Sequence, residues 1–451
     1  MKLNSIQQKA LTDQRSHLEV FGKRTMAWSI LYLATIAAGG YALYLQITQG
    51  HGITGMRDNV VWGLFIVNFI FFIGLSYAGA VICAILHLFK VKWRHPIFRV
   101  AQMMTIIGLV VGPVFILLCV GRLDRLHNLF INARLQSPMT WDVVAISTYL
   151  VGSILFFYLS IIKDLAYYRD ANLKIAKWKQ KLYNALSLGY RGTPAQKKSI
   201  ETSTNLLAII MVPLAIIVSS ILSWIFGMTL RPGWHSTIFG PYFVLAALYS
   251  GTGVVIMALW YYRKTYRLQQ YITRKHFVYL GYTMLALGAA YGYFTFSEYF
   301  TSWYVSEKWD NEVLHKLFSL SEYGWWTLFA NVAGIILPIA IVAIPATRTI
   351  GWITAAAAIM VFALWVKRYL IIVPTLESPL LPIQDTRPEY INYSATWPEW
   401  VLTAAGVATF LLFFTLVAKF VTIVPISELV EKGTPEQRKE LTRPEKEIVP
   451  A

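Results

Sequence analysis

Ten stretches of about twenty or more mostly apolar residues run along this chain, at 27–47, 60–89, 97–120, 141–162, 204–227, 236–262, 277–300, 324–345, 350–372 and 400–424. As helix, each is long enough to cross a hydrocarbon core of about 30 Å. Inside lipid the backbone must satisfy its own hydrogen bonds, which leaves helices or closed barrels. Barrel strands would alternate over about ten residues instead of running unbroken. The expected fold is therefore an all-α integral membrane protein of about ten transmembrane helices. With 56% hydrophobic and 14% charged side chains in 451 residues, a soluble two-domain enzyme is excluded.

The net charge of +17 invites a nucleic-acid reading. The basic residues, however, are sorted by position: 28 of the 40 fall on the two ends and on every second connection, against ten on the intervening ones. That is the positive-inside pattern of a protein with both termini cytoplasmic, so the charge reports topology and implies lipid, not nucleic acid. The first 26 residues carry five of those charges and no apolar core, and read as a cytoplasmic arm instead of a targeting peptide. The nine basic residues of 163–203 read as a solvated, headgroup-facing loop.

A weak internal repeat gives the expected organisation. At an offset of 172, Trp62 meets Trp234, Ile66 meets Ile238, Phe71 meets Phe243, Tyr77 meets Tyr249 and Gly79 meets Gly251. Because this lays the second span on the sixth, both running in one direction, it implies a parallel duplication of a four-helix unit. The units expected are residues 1–59 (arm and first helix), 60–227 (first four-helix bundle, spans 2–5), 228–372 (second bundle, spans 6–9) and 373–451 (outer loop, last helix and cytoplasmic tail).

Polar residues gather on the outer connections: Gly121-Arg122-Leu123-Asp124-Arg125-Leu126-His127, Ser137-Pro138-Met139-Thr140-Trp141-Asp142, Arg231-Pro232-Gly233-Trp234-His235, Ser297-Glu298-Tyr299 and Arg368-Tyr369. The middles of the spans show no Asp, Glu, Lys, Arg or His, so no titratable wire across the membrane is expected. The histidines all lie at span edges or in loops, which speaks against intrinsic haem. Cys83 and Cys119 are too few for a disulfide framework, a thiolate metal site or an iron–sulfur cluster. A quinone needs an apolar slot with a polar group at each carbonyl and a titratable group to exchange protons. Asp142 and Trp141, near His127 and Arg122, supply those residue types. The competing reading is that Asp142 caps the fourth span while Arg122 and His127 meet headgroups or loop carbonyls. Asn68 reads first as an interhelical hydrogen-bond donor, Glu298 equally as part of a tyrosine-lined network or of a quinone pocket, and Trp62, Trp141, Trp234 and Trp397 as aromatic-belt anchors before cofactor contacts.

Three segments resemble the NrfD/PsrC family of quinone-interacting membrane subunits. They are Ser137-Pro138-Met139-Thr140-Trp141-Asp142-Val143-Val144-Ala145-Ile146-Ser147-Thr148-Tyr149, Pro232-Gly233-Trp234-His235-Ser236-Thr237-Ile238-Phe239 and Glu298-Tyr299-Phe300-Thr301-Ser302-Trp303-Tyr304, within a resemblance from about Trp62 to Pro425. In detail they look most like the ActC-type, quinol-oxidising subunit of alternative complex III. The resemblance implies two four-helix bundles and a quinone site near the outer face. It also implies a peripheral iron–sulfur subunit, in some members with a molybdopterin-type subunit and a multihaem cytochrome c, and further integral membrane subunits. The family's site aspartate falls on Asp142. Its companion histidine falls on Cys119 of Cys119-Val120-Gly121-Arg122, a departure that leaves His127 or another group to make that hydrogen bond. A carboxylate expected near Trp224-Ile225-Phe226 is replaced by Ile225, and both departures speak against proton pumping by this chain.

The function expected is a quinone- or quinol-binding subunit, for menaquinone or ubiquinone, in a multi-subunit respiratory or photosynthetic complex of the bacterial cytoplasmic membrane. It contributes a quinol:acceptor oxidoreductase half-site and is not catalytic alone. Asp142 and His127 are the expected proton-handling residues; Trp141, Arg122, Asn68, Tyr149, Glu298, His235 and Arg368 are the expected quinone-binding ones. The alternatives are a membrane subunit of a polysulfide-reductase-like molybdoenzyme, a secondary transporter built on the repeat, or a structural anchor for redox subunits.

Overall fold

A computed structural model of the chain describes residues 5–19, 21–91, 93–121, 123–171, 173, 175–229, 231–236, 238–378 and 392–427. Among these the regular structure is entirely helical. All ten expected spans are helices: α2 (Lys23–Gln49), α3 (Gly63–Leu88), α4 (His95–Cys119), α6 (Pro138–Asp170), α8 (Pro194–Gly227), α9 (Phe239–Thr265), α10 (Arg274–Val305), α12 (Gly324–Ala343), α13 (Ile350–Leu376) and α14 (Trp397–Phe420). Shorter helices complete the chain: α1 (Ser5–Glu19), α5 (Asn128–Ile131), α7 (Lys177–Leu186) and α11 (Lys308–Phe318). Nine of the ten long helices, among the described residues, are apolar enough to cross a membrane. The remaining one, α10, has 32 residues and hence about 48 Å of length, but its tyrosines and Glu298 dilute its apolar character.

Helix α3 is the hub. It is buried along most of its length and packs against α4, α8, α9, α13 and α14, while α2 and α14 pair at the edge. Between helices in lipid, small residues permit the close backbone approach that lets dispersion hold the pair. At Gly108 of α4 a Cβ would stand 2.7 Å from the Phe72 carbonyl oxygen, and at Gly251 of α9 it would collide with Ala78. The two helices that share the repeat thus lie side by side. Trp62, at the head of α3, stacks on Trp234 with centroids 6.3 Å apart and planes within 7°. Trp234 is 1% exposed and its Nε1 donates to the Ile371 carbonyl at 2.7 Å, so it is a packing residue and not the lipid-facing anchor expected of it. Trp141 and Trp397 are exposed as an anchor requires.

The expectation that the spans lack internal charge does not hold. Arg368 and Lys367 lie well inside α13, which continues past residue 372 to Leu376, and both side chains are buried. Arg99 of α4 and Asp164 of α6 form a buried ion pair at 2.6 Å, and the Ser427 amide donates to the same carboxylate at 3.0 Å. That pair, with Tyr168 hydrogen-bonded to Thr422 and Gln14 to Val424, fastens α1 and the segment 421–427 under the bundle. Sequence position alone suggested the edges of spans; the helices are longer than the apolar stretches, so those side chains fall inside.

Candidate functional site

Helix α6 starts earlier than its apolar stretch because Pro138 is pre-organised for the first helical position, with Ser137 as N-cap. Asp142 therefore lies in the second turn, not at the cap, and the capping reading of this residue is excluded. Its side chain is buried, and Oδ1 has no hydrogen-bond partner among the described residues.

Asp142 lines a cavity of about 630 Å³ at one end of the bundle, bordered by the ends of α3, α4, α6 and α8 and by the loop carrying α5. The wall is mostly apolar: Trp62, Ile66, Phe69, Ile116, Ile225 and Phe226 contribute, with Cys119 beside them. Besides Thr140 and Asp142, which are buried on α6, the polar lining groups lie on the loop: Arg125, Asn128, Asn132 and Arg134. A volume between about 300 and 1,000 Å³, apolar walls and a few polar groups are the general marks of a small-molecule site. The Phe226 ring packs edge-on against both Trp62 and Trp234, so an aromatic wedge closes the inner corner.

Of the residues singled out from the sequence, Asp142 lines this cavity. Trp141 precedes it on the outer face, half-exposed, its Nε1 donating to the Leu135 carbonyl at 2.5 Å and holding the 132–137 loop against α6. His127 is exposed on the loop between Leu126 and Asn128, both of which line the cavity. Arg122 lies outside the described residues. Cys119 lines the cavity at the position where the family histidine was expected, its thiol donating to the Phe115 carbonyl at 3.3 Å.

The other residues lie elsewhere. Tyr149 is two helical turns deeper on the same face of α6, donating to the Ser76 carbonyl at 2.8 Å. Asn68 joins three helices, donating to Thr403 at 2.7 Å and accepting from Trp365 Nε1 at 2.9 Å, so its hydrogen-bonding capacity is used within the fold. Glu298 accepts from Ser236 at 2.8 Å and lines a separate cavity of about 60 Å³ with Tyr299, Lys367, Tyr242, Gly233 and Asp310. The Lys367 ammonium donates to the Tyr299 hydroxyl there. His235 is exposed above this group, 3.6 Å from Asp310, and with Glu307 the three side chains place ligand atoms within 4.8 Å of one another. Arg368 is buried deeper, against Ser250 and Phe71. The sequence reading missed Arg134, Asn128 and Asn132; their signal was a polar loop between two spans, which many membrane proteins carry without a site.

Compared with known proteins, residues 52–378 match the family described as polysulphide reductase, NrfD. The chain belongs to the NrfD family. The match begins ten residues before Trp62 and ends before α14, a shorter reach at the C-terminal side than the sequence resemblance implied. Three relatives are similar to this NrfD-family chain. One, named as a candidate membrane subunit of a dimethyl sulfoxide reductase from Halobacterium salinarum, is 28% identical over 54% of this chain and 54% of its own length. The Hdr-like menaquinol oxidoreductase integral membrane subunit of Archaeoglobus fulgidus is 23% identical over 89% of this chain and 95% of its own. A selenate reductase subunit of Mesobacillus selenatarsenatis is 24% identical over 48% and 52%. The chain thus spans about half the length of the first and third relatives. The printed names of these relatives are those of reductase and oxidoreductase subunits, and this chain is a multi-pass membrane protein of the NrfD family.

Proposed function

We propose that this protein binds a quinol, menaquinol or ubiquinol, in the cavity at Asp142 and serves as the quinol-oxidising subunit of an electron-transfer complex of the alternative-complex-III type. The observation that carries this reading is a buried, unpartnered carboxyl oxygen on an otherwise apolar wall. Similarity to a menaquinol oxidoreductase subunit over 89% of the chain supports it. The residues fit the ligand: aromatic and branched side chains accommodate a flat ring and prenyl tail, and the polar groups at the mouth suit its oxygens.

A quinol supplies two electrons and two protons on oxidation. Asp142 accepts a proton from the ring oxygen, and having no fixed donor of its own it is free to pass that proton on. His127, exposed beside the mouth, hands it to the outer aqueous phase. Arg125 and Arg134 hold the ring oxygens and keep the approach positive. Trp141 keeps the loop closed over the site. Tyr149, Glu298, His235 and Arg368 act at a distance, through the packing beneath and beside the cavity. Electrons leave to an iron–sulfur subunit docked on the outer, periplasmic face of the bacterial cytoplasmic membrane, with other membrane subunits alongside.

The similarity to dimethyl sulfoxide and selenate reductase subunits favours a second reading, in which the same cavity feeds a molybdenum-type reductase. The site is common to both. The transporter reading is the weaker one, since the cavity beside Arg368 is only about 20 Å³. The test is titration of the purified complex with a fluorescent quinol-site inhibitor such as an alkyl-hydroxyquinoline N-oxide, together with extraction of endogenous quinone. One saturable site that added menaquinol empties is expected. An extract without quinone and no saturable binding would sink the proposal.

A further inference from the structure

Arg368 is buried where a cation is costly. Its Nη2 lies 3.2 Å from Ser250 Oγ and its guanidinium 5.3 Å from the Phe71 ring centre, and a Cβ at Gly74 would stand 3.4 Å from Nη2. Gly74 and Ser250 each lie eleven residues into their helices, which at 1.5 Å per residue puts the group about 16 Å below the outer ends, near mid-membrane. The other hydrogen bond of the guanidinium is to the Leu364 carbonyl of its own helix at 3.0 Å. Among the described residues it forms no ion pair with a carboxylate. Arginine does not shed its proton to escape this, so the charge needs a counter-charge.

A cavity of about 20 Å³ adjoins it, bounded by Arg368, Gly74, Tyr77, Tyr242 and Tyr291. That is room for one water-sized species, since a single occupant needs about 10–15 Å³. Tyr77 is 2% exposed and its hydroxyl has no hydrogen-bond partner among the described residues. It stands one turn beyond Gly74 on the same face of α3, and helical side chains lean back toward the N-terminus, which carries the phenol to the level of the guanidinium. The Tyr242 hydroxyl is already engaged, 3.2 Å from that of Tyr291 and 3.1 Å from Thr295. The hollow is therefore lined by a fixed positive charge, by the unpartnered Tyr77 phenol and by Ser219, with no carboxylate among the described residues that line it, an environment that suits an anion better than a water.

We propose that Arg368 and Tyr77 bind one small inorganic anion, chloride in the cell, at the junction of α3, α9 and α13. The ion neutralises the buried guanidinium and accepts from the Tyr77 hydroxyl, tying the two repeat-related helices to α13. The hollow adjoins the Asp142 cavity, Leu222 bordering both, but it is a different space and the proposal does not rest on the quinol reading.

The test uses the full chain in the complex purified from native membranes. Thermal unfolding is compared in chloride, bromide and gluconate at constant ionic strength, and crystals grown in bromide are measured for anomalous scattering. Chloride and bromide should raise the unfolding temperature saturably while gluconate does not, and a bromide peak should stand beside the guanidinium. Replacement of Arg368 risks the fold, so the informative variant is Tyr77→Phe, which deletes only the unpartnered hydroxyl. It should raise the half-saturating halide concentration at least about tenfold, the loss of one charge-assisted hydrogen bond. Equal stability in chloride and gluconate would overturn the proposal. So would density at the guanidinium without a bromide signal, which would mark a water, or a Tyr77→Phe protein that titrates like the wild type.

Discussion

Replacing Asp142 by asparagine separates the chemistry of the cavity from its shape. The substitution keeps volume and planarity but leaves no group that takes up a proton. If the carboxyl is the proton acceptor, its loss removes general-base catalysis worth at least about 100-fold in turnover, or about 2.7 kcal/mol on the barrier. The fold should scarcely notice. Oδ1 makes no hydrogen bond among the described residues, so no partner is orphaned, and the stability change should stay within about 1 kcal/mol. The assay is quinol oxidation by the purified complex with a short-chain menaquinol analogue. Assembly is checked by gel filtration, and inhibitor titration confirms that the cavity still binds. Turnover within about threefold of wild type, a barrier change near 0.65 kcal/mol, would show that Asp142 carries no essential proton.

Three further expectations follow from the geometry. Ile225→Trp places an indole in the Asp142 cavity and should weaken inhibitor binding at least about tenfold, roughly 1.4 kcal/mol, with the complex still assembled; unchanged affinity would move the ligand elsewhere. Asn68→Ala strips Trp365 Nε1 and Thr403 of a partner and should cost about 1–3 kcal/mol, read as a lower unfolding temperature, while KM for quinol stays put. Burial, with the charge of Lys419 nearby, pushes the Lys179 ammonium down to about 8, where it donates to the carbonyls of Leu18 and Lys419. The unfolded chain then holds more protons than the native one between about pH 8 and the usual lysine range near 10.4, so stability should rise with pH across that window. Lys179→Met should flatten the rise in a thermal-unfolding series from pH 7.5 to 9.5; an equal slope in the variant would assign it to other groups.

The helices were legible because a bilayer imposes one requirement, an apolar length, and nine of the ten long helices among the described residues meet it. Their ends were less legible. Pro138 starts α6 three residues before its apolar stretch, and α13 runs four residues past its own, through Leu376. Apolar windows mark where lipid touches a helix. The helix itself ends where capping and loop chemistry permit, and in a packed bundle that is one or two turns further on.

The same displacement explains what the sequence conveyed of the site. Asp142 was legible because its type and its motif both point to proton chemistry, and the helix that starts early at Pro138 brings it to the cavity wall. Glu298, His235 and Arg368 share its residue class and its apparent depth, yet they lie around different hollows, because the stacked pair Trp62 and Trp234 stands between the larger cavity and the loop that lines the smaller one. Nothing in a linear string says that two tryptophans 172 positions apart meet face to face. Depth was misjudged for a related reason: Arg368 was counted from the end of its apolar stretch, whereas its side chain extends inward to the level of Gly74. A long cationic side chain at a span edge ordinarily reaches for water. That this one turns inward, into space left by a glycine, is the observation behind the anion proposed beside it.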